Sequence, residues 1–152
     1  PENLFVPLGN GTLFIGIVKA LEELLESAVI DKMPKIIAVQ SEHCDPLAKA
    51  VITGEKHPVK VIPQPTMAEG IAVGVPMRGK EILEYTYKYK IDIITAPENR
   101  IQEARAALAA KGIYCEHTTA ATYAAYLKYC ELNGRISDCL IPMCGAGLKS
   151  DH

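Results

Sequence analysis

The chain has 152 residues, 49% hydrophobic and 22% charged, which is one ordinary domain's worth of globular composition. A net charge of −2, with no Lys/Arg cluster along one face, argues against a nucleic-acid partner. Five cysteines, odd in number and without a C-x-x-C pair, fit a reducing compartment, and no apolar run nears the ~20 residues of a membrane span. A basic region followed by an apolar stretch is also missing from the start, so a cytoplasmic protein without membrane contact is expected.

The chain opens at Pro1 and is already apolar by Leu4-Phe5-Val6-Pro7-Leu8, which predicts a buried strand over 4–8. A buried strand so near a terminus is expected where other chain precedes it, as in a fragment. Phe14, Ile17, Val18, Leu21, Leu24 and Leu25 recur at helical spacing and predict a helix over 13–27, with Met33-Pro34 marking the exit. A second strand is read over 36–40. Residues 53–65 hold Gly54, Pro58, Pro63 and Pro65 and read as a surface loop. A helix over 79–90 carries Ile82, Leu83 and Tyr87, and a strand over 91–95 follows.

Thr95-Ala96-Pro97-Glu98 has the spacing of a capping box and predicts a helix running to about residue 110, ended by Gly112. Strands over 113–116 and 139–143 flank a last helix over 118–133, rich in alanine and tyrosine. Short strands, apolar on both faces and alternating with helices, predict an α/β fold. It is a doubly wound, mostly parallel sheet with helices on both faces, as a single domain over 1–152.

Two glycine turns stand out. Gly9-Asn10-Gly11-Thr12 lies between a strand and a helix. There, unpaired backbone N–H groups and the positive end of the helix dipole favour an anion, typically phosphate. Gly9 and Gly11 let the backbone curl close to the oxygens, and Asn10 and Thr12 can add side-chain donors. The turn matches neither the dinucleotide fingerprint nor the P-loop, and by itself it reads equally well as a plain tight turn. Cys144-Gly145-Ala146-Gly147-Leu148-Lys149 follows the last strand. Both turns fall at strand C-termini on one sheet edge, where they are placed to hold two ends of one phosphorylated, planar ligand.

Val6-Pro7-Leu8-Gly9-Asn10-Gly11-Thr12 resembles the phosphate loop of threonine synthases, among the fold-type II pyridoxal-phosphate enzymes. The resemblance continues through Pro34-Lys35-Ile36-Ile37-Ala38-Val39-Gln40, Ala68-Glu69-Gly70-Ile71-Ala72, Pro76-Met77-Arg78-Gly79 and Gly112-Ile113-Tyr114-Cys115-Glu116. It ends at the Cys144 turn, so it spans nearly the whole chain in the family's order. It implies pyridoxal 5'-phosphate as cofactor, with Gly9, Asn10, Gly11 and Thr12 on its phosphate. Cys144 would stand where a threonine usually meets the pyridine nitrogen, and Glu116 would lie near the ring. Cysteine is a weaker donor than that threonine and is found there in related dehydratases. The family's proline after the glutamate is His117 here.

The resemblance also implies what is expected from elsewhere. The family's cofactor lysine and substrate-carboxylate loop lie in its N-terminal half, and no lysine here stands in such a context. The chain therefore reads as the C-terminal, large-domain half of a lyase of threonine and amino-acid biosynthesis. The whole enzyme would convert O-phosphohomoserine and water to threonine and phosphate. This half is expected to be inactive alone, to carry no catalytic residue, and to have a companion N-terminal half, a phosphorylated amino-acid substrate and a homo-oligomeric state. The alternatives are a serine/threonine dehydratase, another β-replacement enzyme of this fold, or a non-catalytic anion-binding domain.

Other clusters read as structural. Cys115-Glu116-His117 and His43-Cys44 lack metal-ligand spacing, and Cys44 and Cys115 read as buried thiols. The tyrosines at 85, 87, 89, 123, 126 and 129 read as helix-packing residues, and Arg78 and Lys149 as solvated charges.

Overall fold

The computed structural model describes residues 1–149, with the Lys149 side chain outside the described residues. Four strands form one parallel sheet: β1 (Asn3–Pro7), β2 (Lys35–Ser41), β3 (Asp92–Ala96) and β4 (Cys139–Leu140). Their order is β3-β2-β1-β4, with Leu4 opposite both Ile36 and Leu140 and Val39 opposite Ile94.

Strand residues alternate between two cores. Leu4, Val6, Leu8, Ile36 and Ala38 face one side. There they meet α1 (Thr12–Glu26) through Phe14, Ile15 and Val18, α2 (Pro46–Thr53) through Leu47 and Ala50, and α3 (Gly79–Tyr89) through Ile82 and Leu83. Phe5, Ile37 and Val39 face the other side, against Ile101 of α4 (Ile101–Ala109) and Ala120, Ala121 and Ala125 of α5 (His117–Asn133). Burial on both faces is why the strands read as continuous apolar runs. The first half of α5, from Thr118 to Ala125, is buried almost all round, and its alanines allow that close approach. Tyr126 and Tyr129 stand edge-on to Phe5 at 5.3 and 5.6 Å, so these tyrosines do pack the helix on the sheet.

Three expectations are corrected. Residues 113–116 form no strand: Cys115 makes a single bridge to Ala146, while Ile113 and Tyr114 are exposed. The strand read over 139–143 shortens to Cys139–Leu140, because Pro142 has no N–H to continue the ladder. No capping box forms at Thr95, which lies within β3. The Glu98 carboxylate instead accepts from the Thr66 hydroxyl at 2.5 Å and the Met67 N–H at 2.7 Å, and a 3-10 turn over Glu98–Arg100 precedes α4. The sequence reading also passed over α2. Its first-turn Leu47 and Ala48 N–H groups both donate at 2.9 Å to Oε1 of Gln40, a buried side chain reaching across from β2.

β1, β2 and β3 follow one another outward across the sheet, with their crossover helices on one face. The chain then returns along the opposite face through α4 and α5 and adds β4 on the far side of β1. The direction of winding reverses between β1 and β4, which opens a crevice at their carboxyl ends. Alongside, an apolar groove of about 1070 Å³ runs between α1 and β4, and exposed Leu13, Leu24, Val29 and Leu140 line it. Among the described residues no helix is long and apolar enough to cross a membrane.

Candidate functional site

At the crevice lies a pocket of about 280 Å³. Gly9, Asn10, Gly11 and Thr12 line one wall, Gly70 and Ile71 a second, and Glu116, Thr118 and Cys144 a third. All six residues singled out in the sequence therefore meet in one cavity.

The first wall follows from the end of β1. The Leu8 N–H still pairs with the Val39 carbonyl at 2.8 Å, after which the chain turns through Gly9 to Gly11 into α1. A Cβ on Gly9 would stand 2.6 Å from the Gly70 carbonyl oxygen, so only glycine lets the turn lie against the Glu69–Ile71 segment. Gly11 has φ +92° and sits against Ile82 of α3, where a side chain would overlap it. Asn10 is not a simple pocket donor: its Oδ1 accepts from the Met77 N–H at 2.9 Å, tying the 76–78 loop to the turn and leaving the amide NH₂ free to donate. Arg78 donates twice to Glu81 at 3.0 Å and is half-exposed.

The third wall is stitched from two distant segments. The Glu116 N–H donates to the Gly145 carbonyl at 3.0 Å, and the Gly147 N–H donates to the Tyr114 carbonyl at 3.2 Å. A Cβ on Gly145 would come within 2.7 Å of the Glu116 carboxyl carbon. The Cys144 N–H reaches Thr119 Oγ1 at 3.3 Å. Arg105 spans both segments, donating through Nε to the Cys115 carbonyl at 3.0 Å and through Nη2 to the Gly147 carbonyl at 3.4 Å. Its guanidinium also lies 5.2 Å from the Tyr114 ring centroid.

The electrostatics divide the pocket. Both α1 and α5 begin at its walls, after Gly11 and Glu116, and neither has a side-chain cap. The first-turn N–H groups and dipole end of α1 suit an anion beside the glycine turn. At the other end, loss of water around Cys144, then the Glu116 carboxylate, raise the thiol above its ordinary pKa although the residue is exposed. Cys144 is thus a neutral thiol at pH 7, and its one weak S–H donor is directed here at the Pro142 carbonyl, 3.6 Å away, from which rotation about Cα–Cβ and Cβ–Sγ can turn it to a ligand. His117, the first residue of α5, is held below the usual imidazole range by burial and then by Arg105, so it is neutral as well. Burial raises the Cys44 and Cys115 thiols too, as inert core cysteines. Among the described residues no group of three or more His, Cys, Asp or Glu is arranged to hold a metal.

Five lining residues had no site role in the sequence reading: Pro7 and Leu13, which flank the glycine turn, and Gly70, Ile71 and Thr118. Gly70 and Ile71 belong to a quoted motif, and Thr118 lies two positions past Glu116, but nothing in their local pattern marks them as facing a cavity.

The match to known proteins follows this geometry. A family model described as pyridoxal-phosphate dependent enzyme matches residues 1–145. The chain belongs to this family. Its cofactor is pyridoxal phosphate, and the pocket suits such a group, with an anion-favouring glycine turn at one end and a neutral thiol at the other. The threonine synthase of Methanocaldococcus jannaschii is 27% identical over 132 residues, covering 86% of this chain and 33% of that protein. The threonine synthase of Methanosarcina acetivorans is 26% identical over 139 residues, covering 87% and 33%. The chain thus spans about a third of the length of the curated relatives it matches.

Among solved structures, a fungal L-serine ammonia-lyase from Rhizomucor miehei superposes with a TM-score of 0.77 at 18% identity, over 96% of this chain and 45% of that one. The processed form of threonine deaminase isoform 2 from Solanum lycopersicum gives 0.75 at 21%, over 95% and 38%. Serine racemase from Dictyostelium discoideum gives 0.72 at 20%, over 97% and 44%. At these identities the likeness shows the fold of the fold-type II pyridoxal-phosphate enzymes and nothing finer.

Proposed function

We propose that this chain supplies the cofactor-phosphate cradle and ring-nitrogen contact of a threonine synthase-type enzyme, which takes O-phosphohomoserine and water to threonine and phosphate. The observation that carries the reading is the convergence of Gly9, Asn10, Gly11, Thr12, Glu116 and Cys144 on one pocket at the sheet's switch point. The two threonine synthases matched over most of the chain support that substrate class.

When bound, pyridoxal phosphate supplies an electron sink for breaking bonds next to a substrate amino group. The chain's own residues bind and orient. Backbone N–H groups from Gly9 to Thr12 and the α1 dipole hold the phosphate. The Cys144 thiol, protonated because its pKa is raised, offers its S–H to the ring nitrogen without adding charge. Glu116 is fixed beside it by the Gly145 carbonyl and the missing Cβ of Gly145. The lysine that carries the cofactor and the loop that binds the substrate carboxylate come from a companion N-terminal portion. The apolar groove between α1 and β4 is a surface of the kind such a portion covers.

Intact-mass analysis and peptide mapping of borohydride-treated material test this. The expected result is a pyridoxyl-lysine on a companion peptide, turnover of O-phosphohomoserine when both are present, and none by this chain alone. Turnover by the pure chain would refute the proposed division of labour. Turnover of serine or threonine in place of O-phosphohomoserine would assign the dehydratase alternative, to which the thiol at Cys144 points.

A further inference from the structure

Three threonines lie consecutively or one turn apart at the start of α5, and all three are buried: Thr118 at 7% exposure, Thr119 at 1% and Thr122 at 0%. Two have partners. Thr122 Oγ1 donates to the Thr118 carbonyl at 3.0 Å, and Thr119 Oγ1 accepts the Cys144 N–H. Thr118 differs for a positional reason. It is the second residue of the helix, so the carbonyl four residues back is Tyr114, which lies outside the helix and accepts instead from the Gly147 N–H. Among the described residues its Oγ1 meets no hydrogen-bond partner, yet the residue lines the pocket. Across that pocket floor lies Gly70, where an added Cβ would come within 2.6 Å of Thr118 Oγ1. The residue is nearly covered and the opening it faces is the pocket, so a ligand seated there can take the donor that the protein leaves unused.

We infer that Thr118 Oγ–H donates a hydrogen bond to the ligand held over the Gly9–Gly11 turn, making Thr118 a binding residue of the pocket alongside the six identified from the sequence. This rests on the pocket being the cofactor site. The hydroxyl stands between the glycine turn, through Gly70, and Glu116, two residues earlier in the chain. A donor there resists rotation of a planar ligand pinned at its phosphate. The absent Cβ of Gly70 keeps that hydroxyl in place with room above it.

The test is calorimetric titration of the full chain with deoxypyridoxine phosphate, which keeps ring and phosphate but has no aldehyde, and with inorganic phosphate. Thr118→Val keeps the shape and removes the donor; Thr118→Ser keeps the donor and removes a methyl. For deoxypyridoxine phosphate, T118V is expected to weaken binding by about threefold to tenfold, while T118S binds within about twofold of the native chain. Thermal melts of both variants report whether the fold is intact. Equal binding by the native chain and folded T118V overturns the role of Thr118 and leaves the pocket reading standing. A native chain that binds neither probe overturns the pocket reading and this inference with it. A parallel loss for inorganic phosphate assigns the bond to the phosphate, and an unchanged phosphate affinity assigns it to the ring.

Discussion

Single atoms decide the chemistry of this pocket. At Gly9 the constraint is a backbone oxygen 2.6 Å from where a Cβ would sit, and a carbonyl in a packed segment cannot swing aside as a side-chain tip can. Gly9→Ala is therefore expected to splay the turn and weaken deoxypyridoxine phosphate binding by more than about tenfold, read in the same titration. At Cys144 the local field matters. Its raised pKa means a smaller thiolate fraction at a given pH than an ordinary cysteine has, and the thiolate is the reactive form. Iodoacetamide should alkylate Cys144 more slowly at pH 8 than it does a model thiol. Glu116→Gln removes the carboxylate that opposes ionisation and should raise that rate. A rate equal to the model thiol's in both proteins would show that neither lost hydration nor Glu116 acts on this sulfur.

Elements hold these atoms in place by contacts far apart in sequence. Arg105 on α4 joins the Cys115 and Gly147 carbonyls, so one side chain sets both segments of the Glu116–Cys144 wall. Arg105→Ala is expected to weaken deoxypyridoxine phosphate binding while leaving the unfolding free energy from urea titration within about 1–2 kcal/mol of the native chain's. On the opposite face, Glu22 of α1 accepts from Lys88 at 2.8 Å and from the Tyr89 hydroxyl, pinning α3 to α1 behind the glycine turn. Those two hydrogen bonds, Lys88 first, hold the Glu22 carboxyl below its usual pKa. A lowered carboxyl pKa adds stability above the unfolded-state value, and that stability is lost as pH falls through the folded one. Glu22→Gln should thus cost about 0.5–1 kcal/mol at neutral pH, with the gap from the native chain closing in urea titrations below about pH 4.

For the whole molecule the governing feature is a sheet whose winding reverses beside an open apolar flank. On its β4 side β1 pairs only through Asn3 and Leu4, and the groove between α1 and β4 is lined by Leu24, Val29 and Leu140 in contact with water. An exposed patch of this kind drives association. Sedimentation velocity on the chain alone is expected to show concentration-dependent self-association. The double variant Leu24→Lys with Val29→Lys should shift it toward monomer without moving ligand affinity, since neither residue lines the pocket. Concentration-independent monomer in the native chain would show that the flank is not adhesive.

The sequence by itself determined the strand–helix alternation, because burial on both sheet faces leaves unbroken apolar runs such as Phe5-Val6 and Ile36-Ile37 between helical stripes. It also exposed the two glycine turns, because a backbone that must pass close to another group excludes side chains. Where local pattern and long-range contact compete, the sequence was silent or misleading. Thr95 and Glu98 have capping-box spacing, but Glu98 finds better partners at Thr66 and Met67, more than thirty residues away. The first-turn N–H groups of the helix at Pro46–Thr53 are bonded by the Gln40 side chain from the preceding strand, a partner that no helix periodicity or capping pattern encodes. Only the tertiary structure decided that β4 returns beside β1, bringing Cys144 to Gly9 across more than a hundred residues. It alone set Thr118 on the pocket wall, where its hydroxyl has no partner among the described residues.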